Sequence, residues 1–186
     1  MSDKYAQRNN QGHHRIADDE PLALRMLKEE HHIFRELFDR AEDADDEERA
    51  EIGAEICMRL AVHMAIEEEI LYPALILATG RDEVNEGIVE HASGKRLAAE
   101  IEQLDGDEEL YGAKIHVLGE ETIHHIDEED EELFVEAREA HDKGCIDLDE
   151  LGRRLRDRQA DLYDEISAEG EMGETDEALA EEIDKI

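Results

Sequence analysis

Two segments of the chain place a histidine and a glutamate four residues apart. The first pair is His63 and Glu67, in the stretch CMRLAVHMAIEEEILYPAL, and the second is His125 and Glu129, in LGEETIHHIDEEDEELF. Residues four apart lie one above the other on the same face of an α-helix. An imidazole and a carboxylate held in this way can act together as metal ligands, and helix bundles commonly build metal sites from such side chains.

Both pairs interrupt the apolar stripe of an amphipathic helix. Residues spaced three or four apart form the first stripe, which is Ile52, Ile56, Leu60, His63, Glu67, Ile70 and Ala74. The second stripe is Ile115, Leu118, Thr122, His125, Glu129 and Leu133. This spacing directs the polar side chains toward the core. Because an unmatched buried polar group costs roughly 2–7 kcal/mol, and an unpaired carboxylate more, we expect a partner for them in the core.

Two other segments each direct a single histidine into the core. His31 falls in the stripe Leu24, Leu27, His31, Phe34, Phe38 and Ala41. His91 falls in the stripe Val84, Ile88, His91, Lys95, Ala98 and Ile101. One such histidine would usually be a hydrogen-bonded core residue, but four helices that each present one indicate a metal site.

The elements that must position these residues are all helical. Helices are predicted from near Asp18–Pro21 to 41, over 46–78 with a kink at Pro73, over 82–104, over 108–141 and over 147–168. Short connections make the first four antiparallel neighbours, so the predicted fold is an all-α, up-down-up-down four-helix bundle. The fifth helix is expected to pack across it. The predicted division is a flexible arm at 1–17, the bundle at 18–142, an amphipathic helix at 143–169 and an acidic tail at 170–186.

The charge of the chain excludes several classes of partner. With 55 acidic and 20 basic residues the formal charge is −35, which opposes binding to nucleic acid or to an anionic membrane surface. The longest apolar run, 70–78, is too short to span a bilayer and contains a proline. Neither a signal peptide nor a disulfide framework is apparent, so a reducing cytoplasm is expected. The acidity would also suit a high-salt cytoplasm.

In a four-helix bundle the inward residues of all four helices face one central volume. The candidate metal ligands are therefore His31, His63, Glu67, His91, His125 and Glu129. Nitrogen and oxygen donors without a thiolate favour iron or manganese over a closed structural zinc site. Two glutamates that can each bridge indicate two ions. If each ion takes about six ligands, these residues and a bridging oxide leave space for a small exogenous ligand.

The same segments resemble the hemerythrin family, in particular bacterial hemerythrin-like or HHE cation-binding domains. The matching motifs are LKEEHHIFRELF, HMAIEEEILYPAL, VEH and HHIDEEDEELF, in the family's order over about 22–137. The resemblance implies two iron ions in an oxo- or hydroxo-bridged centre at the six residues above, with manganese or zinc less favoured. Oxygen-carrying hemerythrins have a second histidine where this chain has Lys95, so reversible oxygen transport is not expected.

Three further residues lie near the motifs. His32 and His124 adjoin proposed ligands but are turned about 100° from them, so they are interpreted as rim residues or as residues that support the ligands. Tyr72 lies about 140° from the face of Glu67 on a regular helix, and only a distortion near Pro73 would bring it to the site. Some members of the family are thought to use a tyrosine here as an iron ligand. The acids Glu68, Glu69, Glu128 and Asp130 are interpreted as solvated or as orienting the imidazoles.

Two functions remain open at this stage. The first is a stand-alone redox protein that binds peroxide, dioxygen or nitric oxide, with catalase-like peroxide decomposition as the candidate reaction. The second is a non-catalytic sensor of oxygen, nitric oxide or iron, or an iron-binding module, read by a partner. Sensors are usually fused to an output domain, and the chain has no room for one, which favours the first. Both a monomer and a homodimer are compatible with the sequence.

Overall fold

The computed structural model describes residues 16–78 and 82–183. Side chains are described for 16–78 and 84–168. The described residues form helices and no strand. The segments are α1 (Leu22–Asp43), α2 (Asp46–Ile66), the π-helix π1 (Glu67–Leu71), α3 (Tyr72–Ala78), α4 (Asp82–Ile101), α5 (Tyr111–Glu128), the π-helix π2 (Glu129–Leu133), α6 (Phe134–Asp142) and α7 (Leu148–Ile183). Because α2, π1 and α3 are continuous, as are α5, π2 and α6, the described chain forms five rods. The predicted all-α bundle is confirmed.

Local sequence explains how the rods begin and end. Asp45 caps α2 by accepting a hydrogen bond from the Glu48 amide at 3.0 Å, and acidic residues fill the first turn of this helix. Asp147 accepts from the amides of Asp149 and Glu150 at the start of α7. After α6, Gly144 adopts a φ of 72°, the left-handed conformation that commonly terminates a helix.

The bundle has two apolar core clusters with a polar layer between them. One cluster contains Phe34, Phe38, Ile56, Leu60 and Leu118, and the other contains Leu24, Leu27, Leu71, Leu75 and Phe134. Seven polar residues are buried in the described chain, and six of them are the candidate ligands His31, His63, Glu67, His91, His125 and Glu129. The candidate ligands lie between the clusters along each rod, so the apolar clusters hold the polar layer away from water.

Helix α7 packs against α1, α2 and π1, as the sequence predicted for a fifth helix. The close approach requires Gly152, where a Cβ atom would lie 2.5 Å from the Ala23 backbone nitrogen. The helix is longer than the predicted 147–168 and runs through most of the predicted acidic tail. Isolated glycines cost about 1 kcal/mol each in a helix, and the Glu, Ala and Leu around Gly170 and Gly173 favour helix. Most of the predicted arm, residues 1–15 with His13 and His14, lies outside the described residues.

The inward stripe of α4 differs from the prediction. Ile88 and Lys95 were placed on the core face, but Ile88 is 42% exposed and the Lys95 side chain 43% exposed. Gly87 and Gly94 are buried in their place, on the same face as His91. The prediction selected positions with large side chains and left out the glycines. A glycine, however, can mark a position where the core needs space. Among the described helices, none is both long and apolar enough to cross a membrane.

Candidate metal centre

The bundle brings the six candidate ligands together at its centre. Each is at most 7% exposed, and all four helices of the bundle contribute. Their ligand atoms form two groups whose members lie within 4.8 Å of one another, and Glu67 belongs to both. The groups are His31, His63, Glu67 and Glu129, and Glu67, His91 and His125. The geometry therefore suits two adjacent cations.

Each buried carboxylate reaches imidazoles from two different rods. Glu67 Oε2 lies 3.3 Å from His63 Nε2 and 3.4 Å from His91 Nε2. Glu129 Oε2 lies 3.4 Å from His31 Nε2 and 3.6 Å from His125 Nε2. A carboxylate with imidazoles on both sides can bridge two ions.

A second ring of carboxylates fixes the orientation of the four imidazoles. The Nδ1 atoms of His31, His63 and His91 each lie 3.0 Å from a carboxylate oxygen, and that of His125 lies at 2.8 Å. The carboxylates are Asp130, Glu30, Glu68 and Glu90, respectively. Because an ionised carboxylate only accepts hydrogen bonds, each Nδ1 carries the proton that is donated outward. In a neutral ring, this tautomer leaves the lone pair of Nε2 directed at the centre, as metal ligation requires.

Several atoms at the centre have no hydrogen-bond partner among the described residues. They are the Nε2 atoms of His31 and His63, both carboxylate oxygens of Glu67 and Oε2 of Glu129. A buried polar atom without a partner costs roughly 1–3 kcal/mol, and natural proteins rarely retain such groups without a role. All of these atoms are electron-pair donors, so cations between them would satisfy the whole set. The residues present therefore fit a bound metal.

Burial and mutual charge shift the pKa values of these groups in opposite directions. Burial opposes a charge on His31, but the hydrogen bond to Asp130 and the charges of Asp130 and Glu129 raise its pKa to about 10. Burial also opposes a charge on His125, yet the charges of Glu129 and Glu90 raise its pKa to about 9. By contrast, burial and the neighbouring His125 charge lower the pKa of His91 to about 4.

The two central carboxyls respond differently. Burial and the Glu129 charge raise the pKa of Glu67 to about 8. Burial would also raise the pKa of Glu129, but the charges of His125 and His31 hold it well below its usual range. Without a metal, protons on His31, His125 and Glu67 therefore offset the negative charge of the carboxylates at the site.

Tyr72 lies at the centre, which a regular helix would not allow. Its amide donates to the Glu67 carbonyl, five residues back, and this is the hydrogen-bond pattern of the π-helix π1. The wider turn brings Tyr72 onto the face of Glu67. Its hydroxyl donates to Glu129 Oε1 at 2.9 Å and lies 3.2 Å from His91 Nε2. The distortion lies in π1, which ends two residues before Pro73. The sequence analysis required a distortion near this proline to bring Tyr72 to the site.

The neighbouring histidines and Lys95 lie outside the centre. His32 pairs with Glu36 and His124 with Glu128, and their side chains are 56% and 65% exposed. Lys95 forms an ion pair with Glu68 at 2.6 Å, so its amine is directed away from the buried Nε2 atoms. The sequence analysis missed Glu30 and Glu90. The Glu-His dipeptide that occurs at both His31 and His91 could have indicated them, because it places a carboxylate beside each single inward histidine.

The adjacent pair His124 and His125 gives a matched test of this geometry. We expect His125→Ala to lose metal because the imidazole is buried among the proposed ligands, whereas His124→Ala should keep it. Metal content of the two purified variants, measured by elemental analysis, checks the difference. Equal metal loss in both variants would show that the register of α5 at the centre is wrong.

Comparisons with known proteins agree with this arrangement. The sequence model of the family described as Hemerythrin HHE cation binding domain matches residues 22–137. Among solved structures, the chain is similar to the crystal structure of a hemerythrin HHE cation binding domain-containing protein from Mycobacterium kansasii, with 23% identity and a TM-score of 0.62. That similarity covers 75% of this chain and 86% of the other, and at this identity it establishes the fold alone. No curated protein matches the chain.

Proposed function

The chain belongs to the hemerythrin HHE cation-binding family, and from this premise we propose that it is a non-haem diiron protein acting in peroxide or redox protection. Its ligand would be a small molecule such as hydrogen peroxide, dioxygen or nitric oxide. The observation that carries the proposal is the set of buried donor atoms for which the described part of the chain offers no hydrogen-bond partner, all of which face one central volume.

The two groups of donors support a division of the six residues between two ions. His31 and His63 would hold one ion, His91 and His125 the other, and Glu67 and Glu129 would bridge them. Imidazole and carboxylate donors without a thiolate suit iron, which also supplies the redox chemistry that a peroxide ligand needs. Bound iron would supply the electron transfer for peroxide disproportionation, in which one hydrogen peroxide molecule is oxidised to dioxygen and another is reduced to two water molecules, so that electrons and protons balance.

The remaining residues would keep the centre ordered and dry. The outer carboxylates hold the imidazole tautomers. Basic side chains support two of these carboxylates, since Arg35 donates to Asp130 at 3.1 Å and Lys95 donates to Glu68 at 2.6 Å. The apolar clusters on both sides exclude bulk water, which strengthens electrostatic interactions within the centre.

Tyr72 would act as a proton donor at this centre. Burial and the charges of Glu129 and Glu67 raise the pKa of its phenol far above the usual value, so it is neutral in the metal-free protein. Its hydroxyl contacts Glu129, a proposed bridging ligand, and His91. From there it can give a proton or a hydrogen bond to a peroxide oxygen.

Peroxide decomposition by the iron-loaded protein tests the proposal. We expect dioxygen release from hydrogen peroxide, inhibited by azide, which competes for open metal positions. Tyr72→Phe should retain the iron but lower turnover by roughly 10²-fold or more, the usual contribution of a positioned proton donor. An oxygen electrode and elemental analysis measure the two quantities.

The controls separate the roles of iron and Tyr72. Tyr111→Phe removes a phenol that lies away from the centre and bonds to the Ala50 carbonyl, so turnover should be unchanged. No dioxygen release by wild-type protein that carries iron would contradict the catalytic role. Loss of iron from Tyr72→Phe would instead make Tyr72 a metal ligand.

One contact favours a second candidate, a non-catalytic sensor. Gln159 on α7 donates to Glu30 Oε1, and the other oxygen of Glu30 holds His63 Nδ1 at 3.0 Å. A change at His63 on ligand binding could therefore reach α7 and be read by a partner. The peroxide assay separates the candidates, because a sensor would bind the ligand without releasing dioxygen.

A further inference from the structure

The two halves of the bundle repeat each other around the centre. The Glu-His pair of α1 recurs 60 residues later in α4, and the His-x-x-x-Glu of the second rod recurs 62 residues later in the fourth. The contacts repeat as well. His63 bonds to the glutamate that precedes His31, just as His125 bonds to the glutamate that precedes His91. His31 bonds to the acid that follows Glu129, just as His91 bonds to the acid that follows Glu67.

This repeat makes the differences between the halves informative. Where α1 has Leu27 and Phe34, α4 has Gly87 and Gly94 at the equivalent positions. The Phe34 ring is buried and packs edge-on against the His63 ring, with 5.2 Å between centroids. Gly94 leaves the corresponding space beside His125 without a side chain.

A cavity lies where the missing ring would be. It has a volume of about 20 Å³ and is lined by the polar residues His63, Glu90, His91, Glu121, Thr122 and His125, by Gly94 and by the apolar residues Leu60, Met64 and Ile126. This volume suffices for one water-sized molecule. His63, whose buried Nε2 has no hydrogen-bond partner among the described residues, is one of the lining residues. Although several lining residues are polar, most of the accessible wall area is apolar, which favours an uncharged occupant over an ion.

We propose that Gly94 keeps open the route by which a small uncharged ligand, such as nitric oxide, dioxygen or hydrogen peroxide, reaches the metal centre. The ligand then occupies the cavity beside His91 and His125, while Phe34 closes the equivalent route in the other half. The donor groups support this side, since both Glu67 and Glu129 group with His31 and His63 within 4.8 Å, whereas only Glu67 groups in this way with His91 and His125. The inference rests on the proposed function.

Filling the cavity tests the route. In Gly94→Ala, the nearest atom to the new Cβ would be Met64 Sδ at 3.8 Å, an ordinary contact, so the fold should persist. Gly94→Val adds enough volume to occupy the cavity. We expect nitric oxide to bind the ferrous, iron-loaded valine variant at least roughly 10-fold more slowly than the wild type. This is the size of effect that about one carbon atom has in a packed pocket. The alanine variant should be intermediate. Stopped-flow absorbance measures the rate, and elemental analysis should find unchanged iron.

Two further variants complete the test. Gly112→Ala makes the same change in α5 against Arg49, away from the cavity, and should bind nitric oxide at the wild-type rate. The route would be overturned if Gly94→Val bound nitric oxide at the wild-type rate. It would also be overturned if Phe34→Val bound nitric oxide faster while the Gly94 variants were unchanged. These outcomes leave the proposed function standing, because the wild-type protein still binds nitric oxide. Wild-type protein that carries iron but binds no nitric oxide would overturn the inference together with its premise.

Discussion

Chelation of the metal is expected to lower the thermal stability of the bundle by a large margin. Without cations, the donor atoms of His31, His63, Glu67 and Glu129 face one another in a layer that excludes water. At a free ion concentration 1,000 times the dissociation constant, binding contributes about 4 kcal/mol to folding. In a chain of this size that corresponds to a rise of roughly 10 °C in melting temperature.

Circular dichroism melts of the metal-loaded, chelated and reloaded protein measure this difference. Reloading should restore the original midpoint, which separates metal loss from damage by the chelator. The His125→Ala protein provides a matched control. Because this variant is expected to lose metal, the chelator should shift its unfolding midpoint much less than that of the wild type. Equal midpoints for loaded and chelated wild-type protein would contradict convergence of these groups on a cation.

Replacement of a bridging glutamate should remove more metal than loss of any single histidine. Glu67 and Glu129 each contact imidazoles of both groups, so an alanine at either position takes a donor from both ions. In the proposed arrangement, each histidine would serve one ion only. We therefore expect Glu67→Ala and Glu129→Ala to lose both ions, and His31→Ala or His91→Ala to retain part of the metal.

The neighbour of Glu129 gives the control for this comparison. The Glu128 side chain is 43% exposed and pairs with His124, so Glu128→Ala should keep the wild-type metal content. Elemental analysis of the variants, purified in parallel, provides the measurement. If Glu128→Ala and Glu129→Ala lose equal amounts of metal, Glu129 does not bridge the ions.

The convergence of the six candidate ligands could be predicted from sequence because helical periodicity fixes which side chains share a face. His63 and Glu67 interrupt an otherwise apolar stripe, and the same interruption recurs at His125 and Glu129. The bundle then follows from short connections between amphipathic helices. The family match over residues 22–137 confirms the resemblance that these motifs indicated.

The position of Tyr72 could not be predicted with a uniform rotation of 100° per residue. The π-helix places its amide on the Glu67 carbonyl, five residues back, and nothing in the spacing of apolar residues distinguishes that pattern. The same change in π2 brings Phe134 over His31, with the rings stacked 5.4 Å apart. Both π segments begin at a proposed bridging glutamate, so the irregular turns coincide with the site.

The glycines of α4 were missed for a different reason. A hydrophobic stripe identifies residues that fill the core, whereas Gly87 and Gly94 are positions where the core needs space. At Gly87 a Cβ atom would lie 2.8 Å from the Tyr72 hydroxyl, which shows that the space is occupied by a side chain from another rod. Such complementarity between distant segments becomes visible only once the rods are packed.

The metal content of the protein tests the central claim most directly. Protein produced in iron-sufficient cells and purified without chelator should contain about two irons per chain by elemental analysis, because the donors form two groups that share Glu67. One zinc per chain and no iron would contradict the account.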